Sequence, residues 1–483
     1  MRGLQCRKSL WLLKYRPDLQ LKPDSTQLAI FQAGTDTGVL AQKLFPGGTA
    51  IEFAGTTFEE KIEHTQNLIE SGCRTIYEAT FRYNDVLAMV DILHHGTDGW
   101  EIYEVKNSTG PREYHLYDIA LQHQIVSESG LCVTKSCLVH INNGYIRNGD
   151  IEIEKLFAVI DYTENSLAQS EFIKEEIKNQ REMLKQDYPN IDIGPHCTSP
   201  HECDFRRHCW EHIPENSIFN LRGNGIDKFE HYRRGIIRLE DVDPEELNAG
   251  QRMQLEAELY GTQFINRNGL NEFLNSLSYP LCFLDFEAIY SEAVPPFDGT
   301  HPYARIPFQY SLHIQHRPDG ELEHHEYLAP TGYDGREKIA ANLCHQIPDD
   351  ACILTYNMSF EKGIVKDLAA MFPDLSAKLN RIAAHMKDLI VPFRRKDYYT
   401  REMKGSYSIK YILPALVPEL SYNDLDVSHG GDAVLSYQKL SAVDTDEAEA
   451  ARIRRGLLEY CKLDTLAMVK ILEKLREVAR ENG

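Results

Sequence analysis

No stretch of eighteen consecutive apolar residues occurs in this 483-residue chain, which excludes an ordinary membrane-spanning helix. The opening, "MRGLQCRKSLWLLKYRPDL", has basic residues but no long apolar stretch or small-residue cleavage site. It does not read as a secretory signal. There is no internal repeat and no long low-complexity tract. Positive charge is scarce: 52 Lys and Arg stand against 73 Asp and Glu, a net charge of −21. That balance argues against a protein that coats nucleic acid by bulk charge. It leaves room for a site in which metal ions bridge clustered carboxylates to a phosphate. Eleven cysteines follow no repeated framework, which in a chain this long points to a reducing compartment, the cytoplasm.

The length suits two or three domains, and 42% apolar residues suffice for a core in each. "TTFEEKIEHTQNLIESG" reads as a helix. "TIYEATF", "VLAMVDIL" and "WEIYEVKNS" read as strands, the last two joined by the turn-like "HHGTDG". "NSLAQSEFIKEEIKNQREMLKQDYP" reads as a charged helix stopped by proline. Residues 216–275 read as a mainly helical, polar connector. A second α/β pattern begins at "YPLCFLDFEAIY" and closes on the helix "RRGLLEYCKLDTLAMVKILEKLREVAR". The expected division is 1–215, 216–275 and 276–483.

"HCTSPHECDFRRHCW" places Cys197, Cys203 and Cys209 with five residues between each and almost no hydrophobic periodicity. Three thiols are a poor number for disulfides and one short of a tetrahedral metal site. Zinc could take three of them with His196, His201 or His208, or a fourth thiol from elsewhere. The other seven cysteines other than Cys6 mostly lie in apolar runs and read as buried.

In "MVDIL" and "YEVKN", Asp91 lies on one expected strand, and Glu104 and Lys106 lie two apart on the next, hence on one face. Two converging carboxylates can hold a divalent metal. The lysine can position a water or stabilise charge developing on phosphate. The plainer reading is a solvated strand face, since an E-x-K triplet is common. Gln122 follows in "YHLYDIALQHQIV", an expected helix. Asp, then Glu-x-Lys, then a helix bearing Gln resembles the PD-(D/E)XK nucleases of the RecB type. That resemblance implies a restriction-endonuclease-like α/β core with Asp91, Glu104, Lys106 and Gln122 as catalytic residues and Asp91 and Glu104 as metal ligands. The family's helix motif continues to a tyrosine; here that place holds Val126. Tyr117 offers a phenol nearby, and His64 offers an extra imidazole whose plainer role is at the surface.

The iron–sulfur branch of the same nucleases, including those of CRISPR adaptation, has one cysteine before the core and three after it. Cys6, in "LQCRKSLWLLKY", stands in the first place. The resemblance therefore implies a [4Fe–4S] cluster on Cys6, Cys197, Cys203 and Cys209 that staples the ends of the domain together. The spacing of the trailing cysteines departs from the commoner pattern, so zinc stays open as the competing metal.

"CFLDFEAIY" is an apolar strand carrying Asp285 and Glu287 on one face. Such acids are costly unless they bind something. "CILTYNMSFEKGIVKDLAAMF" reads as a strand, a turn at Asn357 and a helix bearing Glu361. "YCKLD" puts Tyr460 and Asp464 on one helix face. Alone, such an i, i+4 pair is usually only a helix face. The ordered set resembles the DnaQ-like exonucleases of the DEDD class, tyrosine subtype, which have an RNase H-like fold. It implies Mg²⁺ or Mn²⁺ held by Asp285, Glu287, Glu361 and Asp464, with Tyr460 positioning the attacking water. The family's third acid is normally aspartate; here it is Glu361. Lys410 and two aromatics in "MKGSYSIKYILPAL" stand near the expected cleft, and Asp388 is a supporting acid.

Together the two patterns resemble a bacterial family that fuses a RecB-type iron–sulfur nuclease to a DnaQ-like exonuclease. The function implied is a metal-dependent DNA nuclease with two active sites, acting on single strands or ends. It would serve genome maintenance or defence against foreign DNA. Two alternatives stay open: an RNA exonuclease, and a nucleic-acid-binding scaffold in which one core is inactive. No membrane partner is implied.

Overall fold

The computed structural model describes residues 1–480 apart from positions 53, 291, 423, 424, 426, 428, 429 and 441–444. The chain divides into two compact units, one of residues 1–212 with 291–304, the other of 213–290 with 305–483. Both are mixed α/β. No helix among the described residues is long and apolar enough to cross a membrane.

After a single helical turn (Arg2–Gln5), the first unit has two helices, α1 (Arg7–Tyr15) and α2 (Ser25–Ala41). A six-stranded sheet follows in chain order: β1 (Thr49–Ala50), β2 (Thr75–Tyr83), β3 (Val86–His95), β4 (Trp100–Lys106), β5 (Val133–Ile141) and β6 (Phe157–Asp161). Asn84 and Asp85 both take left-handed φ between β2 and β3, as a two-residue hairpin turn requires. β2, β3 and β4 are therefore antiparallel, while β4 and β5 are parallel. A parallel pair needs a crossover, and helix α4 (Glu113–Glu128) supplies it. Before the sheet proper, α3 (Phe58–Glu70) starts on a reciprocal cap between Thr57 and Glu60. The two sheet faces bury separate cores, one around Ile76, Val90, Ile102 and Val126, the other around Tyr77, Ile92, Tyr103 and Val139.

The helix expected over 165–189 is broken. A first turn spans Thr163–Ala168, and α5 (Ser170–Leu184) starts afresh, where Ser170 donates to the Gln124 side chain of α4. Residues 291–304 belong to this unit because Ala293 is buried in the second core and Arg147 donates to the carbonyls of Pro295 and Pro296.

In the second unit, residues 216–275 do not stand apart as a connector. Helices α6 (Ala249–Tyr260) and α7 (Arg267–Asn275) put Ala257, Leu270 and Phe273 into the main core beside Leu281 and Phe283. The sheet comprises β7 (Leu281–Tyr290), β8 (Arg305–Gln315), β9 (Leu322–Leu328), β10 (Cys352–Thr355) and β11 (Met386–Asp388). Its order is β9-β8-β7-β10-β11. The first three strands form an antiparallel meander, and β10 and β11 run parallel to β7. Helices α8 (Arg336–Gln346) and α9 (Ser359–Met371) surround β10 in sequence, and α10 (Ile409–Leu416) and α11 (Gly430–Lys439) precede the closing α12 (Glu447–Arg480). One face of α12 (Leu457, Tyr460, Asp464, Met468, Leu472) is buried against the sheet.

Candidate active sites and a thiol cluster

In the first unit, β3 and β4 are paired as far as Ile92↔Tyr103. Beyond that pair, the Asp91 carboxylate accepts the backbone N–H of Val105 at 2.6 Å. It takes the place of a ladder bond exactly where a strand pair would otherwise continue. Across β2, Glu78 lies between the pairs Tyr77↔Ile92 and Ala79↔Val90 with φ of +60°, an uncommon and strained conformation for a side-chain-bearing residue. Lys106 Nζ contacts Glu104 Oε1 at 2.5 Å and Asp118 Oδ2 at 2.7 Å. Gln122 Nε2 donates to Glu104 Oε2 at 2.6 Å, and its Oε1 is buried without a partner. All four residues expected from the sequence thus meet around Glu104.

Burial is the main cause that pushes Asp91 up to about 6, with Glu78 adding to it against the Val105 N–H. Burial and then Asp91 push Glu104 well above the usual carboxylate range. For Lys106, burial favours the neutral amine, but Glu104 and Asp118 outweigh it and raise the pKa. The site therefore combines reluctant carboxylates with a firmly charged ammonium, a balance that a bound cation would relieve.

The remaining suggestions for this unit fare differently. His64 is exposed, while Lys61 and Thr65 of the same helix face inward. Tyr117 packs against Phe172 with ring centroids 5.4 Å apart, and Val126 is fully buried core. Asp118, one turn before Gln122, was not singled out, although the i, i+4 spacing placed it on the same helix face.

Cys6, Cys197, Cys203 and Cys209 line one small cavity. Cys6 precedes α1, and the backbone N–H groups of Ser9 and Lys8 favour its thiolate, although burial outweighs them and pushes the thiol up. Burial also raises Cys209, and the other three thiols add to it. The two chain ends are tied around the cavity. Arg2 pairs with Asp204 at 2.6 Å. Gln5 donates to the carbonyls of His196 and His201, and Cys203 Sγ lies 3.5 Å from Ser9 Oγ. The His201 ring meets Tyr114 of α4 edge-on at 5.0 Å. None of the eleven cysteines is disulfide-bonded.

In the second unit, Asp285 and Glu287 project from β7 toward α12. Ligand oxygens of Asp285, Glu287 and Asp464 all lie within 4.8 Å of one another. Among the described residues, no other set of three His, Cys, Asp or Glu side chains is so close. Glu361 is near enough to raise the pKa of Asp285 and Glu287, and its Oε2 is buried without a partner. Burial is again the largest cause of the shifts. It pushes Glu287 and Glu361 up to about 8 and Asp464 up to about 6, and Asp285 well above its ordinary value, with Asp464 next.

Tyr460 stands one helical turn before Asp464 on α12, close enough to favour its charged form. A second tyrosine, Tyr422, donates to Asp464 Oδ1 at 2.6 Å; it was missed because nothing in its local pattern marks it. Cys461 Sγ lies 3.6 Å from Asp285 Oδ2. Asp388 lies outside the closest acid set, but its charge helps raise Glu361. It accepts the backbone N–H groups of Asn357 and Met358 at 2.9 and 3.1 Å, fixing the start of α9. Asn357, at φ +65°, makes the sharp turn that directs Glu361 inward.

Residues 282–408 match the model of a family described as a domain of unknown function, DUF2779. The match takes in Asp285, Glu287, Glu361 and Asp388 and ends before Lys410, Tyr422, Tyr460 and Asp464. Over 224 residues the chain is 26% identical to the uncharacterized protein UU173 of Ureaplasma parvum, covering 41% of this chain and 32% of that protein. This chain thus spans about a third of that relative's length. No solved structure matches.

Proposed function

We propose that this protein is a metal-dependent DNA nuclease with two active sites, hydrolysing phosphodiesters at single strands or ends. The observation that carries the reading is the convergence of Asp285, Glu287 and Asp464, with Glu361 and Tyr460 beside them. Burying four acids together is costly unless cations join them. The strand order supports an RNase H-like, DnaQ-type unit: an antiparallel meander of three, then two parallel strands beside the acid-bearing β7. In the first unit, a helix, three antiparallel strands, a crossover helix and a parallel strand support a PD-(D/E)XK core.

Asp285, Glu287, Glu361 and Asp464 would hold divalent cations in the second unit, and Asp91 and Glu104 would hold one in the first. Such cations, when bound, supply charge that offsets the phosphate and lowers the pKa of water. The chain's own groups do the rest. The Tyr460 hydroxyl, one helical turn from Asp464, would orient a water. The Lys106 ammonium, held by Glu104 and Asp118, stands where charge develops on a phosphate oxygen. RecB-type and DnaQ-like sites often have opposite polarities, so one chain with both would process either end of a strand, in genome maintenance or defence.

The four thiols lining one cavity would hold a [4Fe–4S] cluster by the resemblance to the iron–sulfur branch, with zinc the competing metal.

The test is incubation of anaerobically purified protein with end-labelled single- and double-stranded DNA and RNA, in Mg²⁺ or Mn²⁺. Metal-dependent shortening of DNA is the expected result. Intact substrates under every condition would overturn the reading, and cleavage of RNA alone would reassign the substrate.

A further inference from the structure

Gln309, Ser311 and His313 alternate along β8, so they share one face, and each is at most 3% exposed. A row of polar side chains in a strand core is costly unless each finds a partner. These find theirs on α12. Gln309 Nε2 donates to the carbonyl of Leu457 at 2.7 Å. Thr465 Oγ1 lies 2.7 Å from Ser311 Oγ and 2.8 Å from His313 Nδ1. Tyr460 and Asp464 stand between these two anchor points on the helix. In the β7–β8 register, Gln309 is paired with Glu287 and Ser311 with Asp285. Both ties to α12 thus start on the strand partner of an acid of the cluster.

The Thr465 contacts form one consistent set. A hydroxyl has one proton and two lone pairs. Thr465 donates back to the Lys462 carbonyl at 3.1 Å, a habit of helical threonines. It then accepts from Ser311 and His313, and Ser311 accepts in turn from His324 Nε2 at 3.0 Å. These roles need both imidazoles neutral. Burial keeps them so, pushing His313 down to about 3 and His324 down to about 4. The two rings can therefore lie with centroids 4.4 Å apart without repelling.

Resting on the metal-dependent reading of this site, we propose that Thr465 and Gln309 are positioning residues that lock α12 in the register and depth at which Asp464 shares a cation with Asp285 and Glu287. Asp464 repels both of those acids, so charge alone pushes the helix off the strand. Apolar packing resists that push but has no direction. Hydrogen bonds do have direction, and a ligand misplaced by about 1 Å loses much of its effect. The ties bracket Tyr460 and Asp464, where such a shift would matter most.

The test reads metal binding as well as stability. The full chain carrying Asp91→Asn and Glu104→Gln, which removes the acids of the first unit, is titrated with Mn²⁺, and the free ion is read by electron paramagnetic resonance. Adding Thr465→Val keeps the shape and removes the hydroxyl. It should raise the Mn²⁺ Kd about threefold to tenfold, the scale of one or two lost hydrogen bonds. Thr465→Ser should stay within about twofold of the parent, because the hydroxyl is restored. If Thr465→Val fails to fold, as read by thermal melting, Gln309→Met takes its place with the same expectation. A folded variant that melts lower but keeps the parent's Mn²⁺ affinity would overturn the proposal, since the tie would then serve stability alone. A parent that binds no Mn²⁺, or whose binding survives Asp285→Asn, would overturn the metal reading of the site itself.

Discussion

Tyr422 donates to Asp464 Oδ1 at 2.6 Å from forty-two positions upstream in the chain, and Tyr460 stands one turn before the same residue on α12. Two phenols beside one acid need not do the same work. Tyr422 is 7% exposed and fixes the carboxylate; Tyr460 belongs to the motif whose hydroxyl would orient water. Tyr422→Phe should therefore raise the Mn²⁺ concentration for half-maximal activity several-fold and cost about 1–2 kcal/mol of stability. Turnover at saturating metal should change little. Tyr460→Phe should give the converse, slower turnover with an unchanged metal requirement. Metal titrations of the two variants check this, and identical behaviour would remove the distinction.

Cys6 is nearly two hundred residues from its partners, and Arg2–Asp204 and the two Gln5 hydrogen bonds tie the same ends. With an iron–sulfur cluster the anaerobic protein should be brown. Cys6→Ala should bleach it and lower the melting temperature of the first unit, since the metal joins distant segments. Stoichiometric zinc without iron in that preparation would defeat the assignment.

Lys106 and Asp118 separate a group that acts from one that holds it. Lys106→Ala should remove one of the two DNA-end activities by orders of magnitude and leave the other. Asp118→Asn keeps the ammonium but loosens its 2.7 Å contact. It should cost about tenfold, the scale of one charge-assisted hydrogen bond. Equal losses in both variants would mean that Asp118 does more than position Lys106.

The acid sets were legible because strand alternation and helical turns put near neighbours on common faces: Glu104 with Lys106, Asp285 with Glu287, Tyr460 with Asp464. Cys6 was legible only through resemblance, since nothing local links it to residue 197. Tyr422 was not legible at all, because its partner is set by tertiary packing. The same holds for Ala293 and Val294, which leave the second unit's strands to join the first unit's core; no periodicity says which core an apolar pair will enter. The stop in the β3–β4 ladder at Asp91 was hidden too, since an alternating pattern predicts continued pairing.

The last prediction links pH, metal and stability in the second unit. Glu287 and Glu361 are pushed up to about 8, chiefly by burial, whereas unfolded glutamates titrate near 4.3. Without metal, the folded state therefore keeps protons that the unfolded chain has released, and stability falls as pH rises through that range. Below about pH 6.5 the trend is mixed, because His115 and His313 are held neutral at about 4 and about 3 and contribute with the opposite sign. The window to read is roughly pH 6.5 to 8, where folded Glu287 and Glu361 lose their protons; the N-terminal amine, lowered by burial, opposes them there equally in parent and variant. Metal-free protein should melt progressively lower across it. Adding Mn²⁺ should raise the melting temperature more at the upper end than at the lower, because the cation replaces protons that have left. Glu361→Gln keeps the shape but cannot ionise, so it should flatten the metal-free slope and shrink the Mn²⁺ effect. Differential scanning calorimetry of both proteins, with chelator and with Mn²⁺, checks this; a metal-free melting temperature that climbs across the window, equally in both, would show that these carboxyls do not titrate as a metal-ready cluster.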